Sequence, residues 1–146
     1  MTRPLPAPTG DVAVLAARIV LGVVLAAHGL QKLMSYGFAG TSASFAKMGV
    51  PVPPVSAAYA TVVELGGGIL ILLGALTTVV AALVVLDMLG AFAFVHVSHG
   101  VFAEGGGWEL VAVIAVGAVL LAARGPGRYS VDQAVRSRKA TATVAA

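Results

Sequence analysis

Residues 12–33 read VAVLAARIVLGVVLAAHGLQKL, and this stretch decides the fold. The run is close to the ~20 residues that carry an α-helix across ~30 Å of hydrocarbon. Yet it holds Arg18 in its first half and Lys32 at its end. Further apolar runs follow over 55–76, 78–97 and 108–123, and the first two carry Glu64 and Asp87. A charge placed in hydrocarbon costs on the order of several kcal/mol unless it is paired or faces a polar cavity. The formal charges of Arg18, Lys32, Glu64 and Asp87 cancel, which predicts a polar network inside a small bundle. The expected architecture is an all-α membrane protein, an antiparallel four-transmembrane-helix bundle whose short links join neighbouring helices.

Composition narrows the function classes. The chain has 146 residues, mean hydropathy +0.99, 59% apolar residues and 10% charged residues. Soluble domains carry roughly 25% charged residues, and this length leaves no room for a separate soluble catalytic domain. The absence of cysteine excludes a dithiol redox couple, cysteine-ligated iron–sulfur or zinc, and covalent haem attachment. The net charge of +3 is not a nucleic-acid signature, because the basic residues cluster beside the spans. No cleaved leader is expected: the first apolar run contains Arg18 and is too long for a signal-peptide core.

The connections have their own pattern. Residues 1–11 read as an irregular, Pro-rich cytoplasmic segment. Between the first two spans, Thr41 is placed to cap a short helix over Ser42–Met48 and Gly49 to end it. Phe38, Phe45 and Met48 give that helix an apolar side. Val50-Pro51-Val52-Pro53-Pro54 then predicts extended chain, since each proline disfavours helix in its predecessor. The whole connection reads as a lid on one end of the bundle. Gly74–Thr78 is a tight turn. His99–Gly107 is Gly-rich, and Trp108 sits where interfacial tryptophans anchor a span.

Arg124, Arg128, Arg136, Arg138 and Lys139 follow the last span, Arg3 and Arg18 lie at the N-terminal side, and Lys47 is the basic residue of the opposite connections. The positive-inside rule therefore places both termini in the cytoplasm of a cell (inner) membrane protein. Residues 126–146 form a basic cytoplasmic tail, with a short amphipathic helix over 130–139 expected on the inner surface.

Each helical residue advances by 100°. Gly22, Leu25, Gly29 and Lys32 then fall within about 40° of Arg18. Glu64 shares a face with Gly68 and Ile71, flanked by Gly67, and Asp87 lines up with Ala91, Phe94 and Ser98. Glu64 and Asp87 lie roughly 14 Å deep and Arg18 about 10 Å from its end. Arg18 is thus expected to reach one of the carboxylates, while Lys32 snorkels to the surface. Two readings stand side by side. Arg18, Glu64 and Asp87 hold the helices in register, or they line a pocket for a polar head group such as a quinone, or relay protons. His28, Gln31, Lys32, Gly67 and Gly68 complete the candidate pocket. His96 lies about 180° from Asp87 and His99 about 120° away, a mismatch that argues against a haem held between histidines. No flavin or metal site is evident. Tyr59 reads as a core aromatic with a hydrogen-bonded tip.

Arg18-Ile19-Val20-Leu21-Gly22, His28-Gly29-Leu30-Gln31-Lys32-Leu33, Gly49-Val50-Pro51-Val52-Pro53, Glu64-Leu65-Gly66-Gly67-Gly68 and Asp87-Met88 with Ala91 resemble, in order and over residues 12–125, the DoxX family. The resemblance implies a four-helix integral membrane protein similar to membrane subunits of thiosulfate:quinone oxidoreductase. It also implies protein partners in an oxidoreductase assembly; membrane lipid around the chain and no nucleic acid are expected, and a homo-oligomer is compatible with it. The family pattern falls on Arg18, Gly22, His28, Gly29, Lys32, Glu64, Gly67 and Asp87. Three functions are compatible with these residues: a quinone-binding subunit that is not a complete enzyme alone, a non-catalytic anchor for soluble redox-stress enzymes, or a small transporter.

Overall fold

The computed structural model describes residues 7–144; Arg3 and the rest of residues 1–6, like 145–146, lie outside them. Among the described residues every regular element is helical. The α-helices are α1 (Ala7–Gln31), α2 (Gly37–Lys47), α3 (Pro53–Val62), α4 (Gly68–Leu73), α5 (Thr77–Ala91), α6 (Glu109–Arg124) and α7 (Val131–Val144). Three π turns extend them: Lys32–Tyr36 after α1, Val63–Gly67 between α3 and α4, and Phe92–His96 after α5.

Three helical stretches are long and apolar enough to cross a membrane: Pro8–Lys47, Pro53–Leu73 and Thr77–His99. Their outward faces, with residues such as Val20, Val62, Val79 and Leu86, are exposed and apolar, as lipid requires. The segment expected as a fourth span forms helix α6, whose 16 residues rise only about 24 Å, and it is not among the helices long enough to cross. It packs on α5, where Val111, Ile114, Ala118 and Leu121 meet Val80, Ala81, Val84 and Met88 in one buried cluster.

Several expectations need correction. Helix begins at Ala7 rather than near Val12, because Pro8 falls in the first turn, where its missing N–H has no partner to lose. Thr41 does not cap a helix. It is buried within α2, and its Oγ1 donates to the Lys32 carbonyl at 3.2 Å, meeting an acceptor of the first π turn. The extended chain expected over 50–54 is cut short. Val52 adopts φ +44° and α3 starts at once on Pro53, whose fixed φ and missing N–H suit the first helical position. The second span stops at Leu73 because Gly74, at φ +65°, takes the left-handed C′ position. Its N–H and that of Ala75 bond Ile71 and Leu70 at 3.1 and 2.9 Å, a Schellman ending.

The contact between α1 and the second long helix sets the register of the bundle. A Cβ on Gly22 would lie 2.7 Å from the Gly68 carbonyl, one on Gly68 would lie 2.6 Å from the Ala26 nitrogen, and one on Gly29 would lie 2.7 Å from Leu65 Cα. Backbones this close need glycine, the device by which membrane helices gain packing without a hydrophobic driving force. Gly29→Val is expected to lower the unfolding free energy in detergent by roughly 1–3 kcal/mol or more, read as a shifted denaturation midpoint.

The C-terminal segment is docked rather than trailing. The two carboxylate oxygens of Asp132 accept the Leu76 and Thr77 N–H groups at 2.8 and 2.9 Å, and the Asp132 N–H donates to the Gly74 carbonyl at 3.0 Å. Asp11 accepts the Arg128 N–H at 3.1 Å. Partial burial opposes ionisation of Asp132, but the N–H groups of Thr77 and Leu76, with Arg136 nearby, outweigh it and hold the carboxyl below its ordinary value. A depressed carboxyl stabilises the folded state above its unfolded value of about 3.9 and loses that contribution as pH falls through the folded value. The protection factors of the Leu76 and Thr77 amides, taken relative to intrinsic exchange at each pH, are therefore expected to hold above about pH 4 and to fall below it. Asp132→Asn is expected to remove this step.

Candidate functional site

A π turn inserts an extra residue into a helix and recurs at functional sites. Here each of the three long helical stretches carries one, and each is tied to the ionisable residues. Lys32 opens the first, Glu64 lies within the second and His96 closes the third. They face a common cavity of about 460 Å³. Its wall is mostly apolar, with Phe45 from α2, Met48 just after it, Tyr59 from α3, Leu86 and Met88 from α5, Phe94 from the third π turn, and Val111 and Ile114 from α6. Lys32, Glu64, Asp87, His28, His96 and Ser56 supply the polar points.

Two of these carry the electrostatics. Lys32 Nζ donates to Glu64 Oε2 at 2.5 Å, with both side chains largely buried. Asp87 is 8% exposed, and its Oδ2 is buried with no hydrogen-bond partner. Leaving such a group unmet costs about 1–3 kcal/mol, so a buried orphan on a cavity wall marks a position for a ligand. Tyr59 donates to the Leu83 carbonyl at 2.9 Å, tying α3 to α5 beside the cavity. His96 Nδ1 lies 2.6 Å from the Gly106 carbonyl, which places the ring proton on Nδ1. Among the described residues no three His, Asp or Glu side chains converge to hold a metal ion.

Arg18 lies elsewhere. It is 2% exposed and spends its donors on backbone. Nε and Nη2 bond the carbonyls of Ile71 and Leu72 at 3.0 and 2.8 Å, and Nη1 bonds those of Pro126 and Tyr129, both at 2.7 Å. Ile71 and Leu72 end α4, whose last carbonyls lack intrahelical partners and carry the negative end of the helix dipole. The planar, five-donor guanidinium suits a carbonyl cluster of this kind.

The expected reach of Arg18 to a carboxylate is therefore not made, and Lys32 does not snorkel. Both follow from the glycine register. Gly22 sits against Gly68 and Leu72, and Gly29 against Leu65. In an antiparallel pair this sets Lys32 opposite Glu64 and Arg18 opposite the end of α4. The two cations share a face of α1 but lie about 21 Å apart along it.

Of the candidate pocket residues, His28, Lys32, Glu64 and Asp87 line the cavity, and Arg18, Gln31, Gly67 and Gly68 do not. Gln31 faces outward. Gly68 is held against α1, and a Cβ on Gly67 would meet Val80 at 3.1 Å. The sequence reading missed the cavity positions of Tyr59, Ser56 and His96. For His96 the cause is specific: the inserted residue of the third π turn shifts the helical phase by about 100°, so angles counted from Asp87 fail beyond Phe92. Tyr59 left no comparable signal.

The DoxX family profile matches residues 13–97. The chain belongs to the DoxX family. It is similar to the uncharacterized membrane protein Rv3486 of Mycobacterium tuberculosis, at 32% identity over 91% of this chain and 86% of that protein. It is also similar to the inner membrane proteins YqjF and YphA of Escherichia coli. Identity to YqjF is 36% over 88% of this chain and 95% of the relative, and identity to YphA is 34% over 84% and 89%. No solved structure matches. The matched region of this DoxX protein contains Lys32, Glu64 and Asp87 together with all three π turns. The whole of α6 and of α7 falls beyond it.

Removing one member of the ion pair leaves the other buried and unpaired. Lys32→Met is expected to cost about 3 kcal/mol, the low end for a buried pair because Lys32 keeps some solvent contact. A Lys32→Met, Glu64→Met double variant is expected to recover most of that loss, read from denaturation midpoints in detergent.

Proposed function

We propose that this DoxX protein is the membrane-embedded component of an oxidoreductase assembly and that its cavity binds a quinone or a similar lipophilic redox molecule. The observation that carries the reading is Asp87 Oδ2, buried and without a partner on the wall of an apolar cavity. A volume of about 460 Å³ falls within the roughly 300–1,000 Å³ of small-molecule sites. The mostly apolar wall suits a ring and the start of an isoprenoid tail. Lys32 Nζ and the Asp87 carboxyl suit the polar oxygens of a head group.

A bound quinone supplies two-electron chemistry that takes up and releases protons. The role of the chain is to hold and orient the head group and to move a proton at Asp87 Oδ2. Glu64, neutralised by Lys32, keeps the cation in place. Tyr59, Phe45 and Met48 screen the site from water. In this reading α6 is a fourth, short crossing, α2 with residues 48–52 is a lid over the cavity, and both termini face the cytoplasm. Electrons reach the site from a protein partner, and the chain is not a complete enzyme alone.

The test is to purify the protein gently from native membranes and identify extracted quinones by mass spectrometry. Near-stoichiometric menaquinone or ubiquinone is expected from the unaltered protein, falling about tenfold or more in Asp87→Asn, the loss of roughly one buried charge-assisted hydrogen bond. Absence of quinone from the unaltered protein, with no uptake of added quinone, overturns the reading. Soluble enzymes copurifying in that case support the second reading, a non-catalytic anchor, which the exposed basic α7 favours.

A further inference from the structure

We propose that α7 is a membrane-surface element that binds the headgroups of anionic phospholipids, a role separate from the cavity. Its start is fixed at one height. Asp132 bonds the Gly74–Thr77 turn on both sides, and Arg18 grips the carbonyls of Pro126 and Tyr129 just before the helix. That turn joins two stretches that are each long and apolar enough to cross a bilayer. The first turn of α7 therefore sits where hydrocarbon gives way to headgroups.

The composition of the segment fits that level. Tyr129, Val131 and Val135 are exposed, although each would be buried if the segment docked fully on the bundle. At 100° per residue, Val131, Val135, Arg138 and Ala142 fall within about 60° of one another. They form an apolar strip that contains one guanidinium, with Lys139 and Arg136 along one border. Arg124 and Arg128 add charge at the same end of the bundle. Asp132, the one acid of α7, is already engaged by backbone donors, and Asp11 is engaged by the Arg128 N–H. Arg124, Arg128, Arg136 and Arg138 outnumber Asp11 and Asp132 at this end, so its field stays positive and attracts an external anion. An apolar strip bordered by arginines, held at the bilayer boundary, is complementary to a surface of phosphates over acyl chains. A soluble acidic protein would match the arginines but not the apolar strip or its depth.

The chain has no cysteine, so V135C gives one labelling position for an environment-sensitive fluorophore. The full-length protein is reconstituted in vesicles of phosphatidylcholine alone or with phosphatidylglycerol. Quenching by neutral aqueous acrylamide is then measured. Accessibility is expected to fall at least about threefold with phosphatidylglycerol and to return at high salt, which screens surface charge. It is also expected to return when Arg128, Arg136 and Arg138 are changed to Gln. These side chains are exposed, so helical content by circular dichroism should be unaltered. Equal accessibility in both vesicles overturns the proposal. Protection that is independent of lipid charge overturns it, as does protection that appears only when soluble cell extract is added, which would assign the helix to a protein partner. None of these outcomes depends on quinone.

Discussion

The approach of α1 to the second long helix at Gly22, Gly29 and Gly68 is the constraint on which the other features rest. Side chains at these positions would overlap the partner backbone, so the two helices meet at one distance and in one register. Everything polar in α1 is then placed. Lys32 comes level with Glu64 and bonds it, while Arg18 comes level with the end of α4 and bonds its final carbonyls. In hydrocarbon a slip of one turn would cost both arrangements together, which makes the glycine contacts and the buried charges mutually reinforcing.

Arg18 and the Lys32–Glu64–Asp87 group illustrate two uses of a buried charge. Arg18 has carbonyl partners for each of its nitrogens, and those partners belong to a helix terminus and to the loop before α7. It is a clamp, with four bonds to backbone carbonyls, that fixes the segment leading to α7. The Asp87 end is the opposite case. Lys32 and Glu64 answer each other, leaving a carboxyl oxygen with nothing to bond. One guanidinium thus serves four carbonyls, while the carboxyl at the cavity wall keeps a buried oxygen unmet.

The π turns link local backbone to that cavity. Each one widens a helix beside an ionisable residue, and the carbonyl freed at Lys32 is met by Thr41 from α2. That bond helps bring α2, with Phe45 and Met48, over the space between the longer helices. The same irregularity explains why helical-wheel reasoning fails where it does. It holds along α1 up to Lys32 and along α5 up to Ala91, and it breaks at His96, beyond an inserted residue that composition does not reveal.

By itself the sequence determined that the chain is an all-helical membrane protein, because apolar runs of bilayer length have no other way to satisfy their backbone in lipid. It also singled out Arg18, Lys32, Glu64 and Asp87, since charges are conspicuous in a strongly apolar chain. Their partners were decided by tertiary structure alone. Pairing depends on the height at which two helices meet, which is fixed by atomic contacts at glycines rather than by the angular position of a residue on its own helix. The same holds for Asp132 and the docked start of α7, where a carboxylate in an apparently loose basic tail is held by the N–H groups of Leu76 and Thr77. Nothing in the local sequence of either segment points to the other. A backbone donor becomes available only where a helix begins, and a carboxylate reaches it only once the chain has folded back.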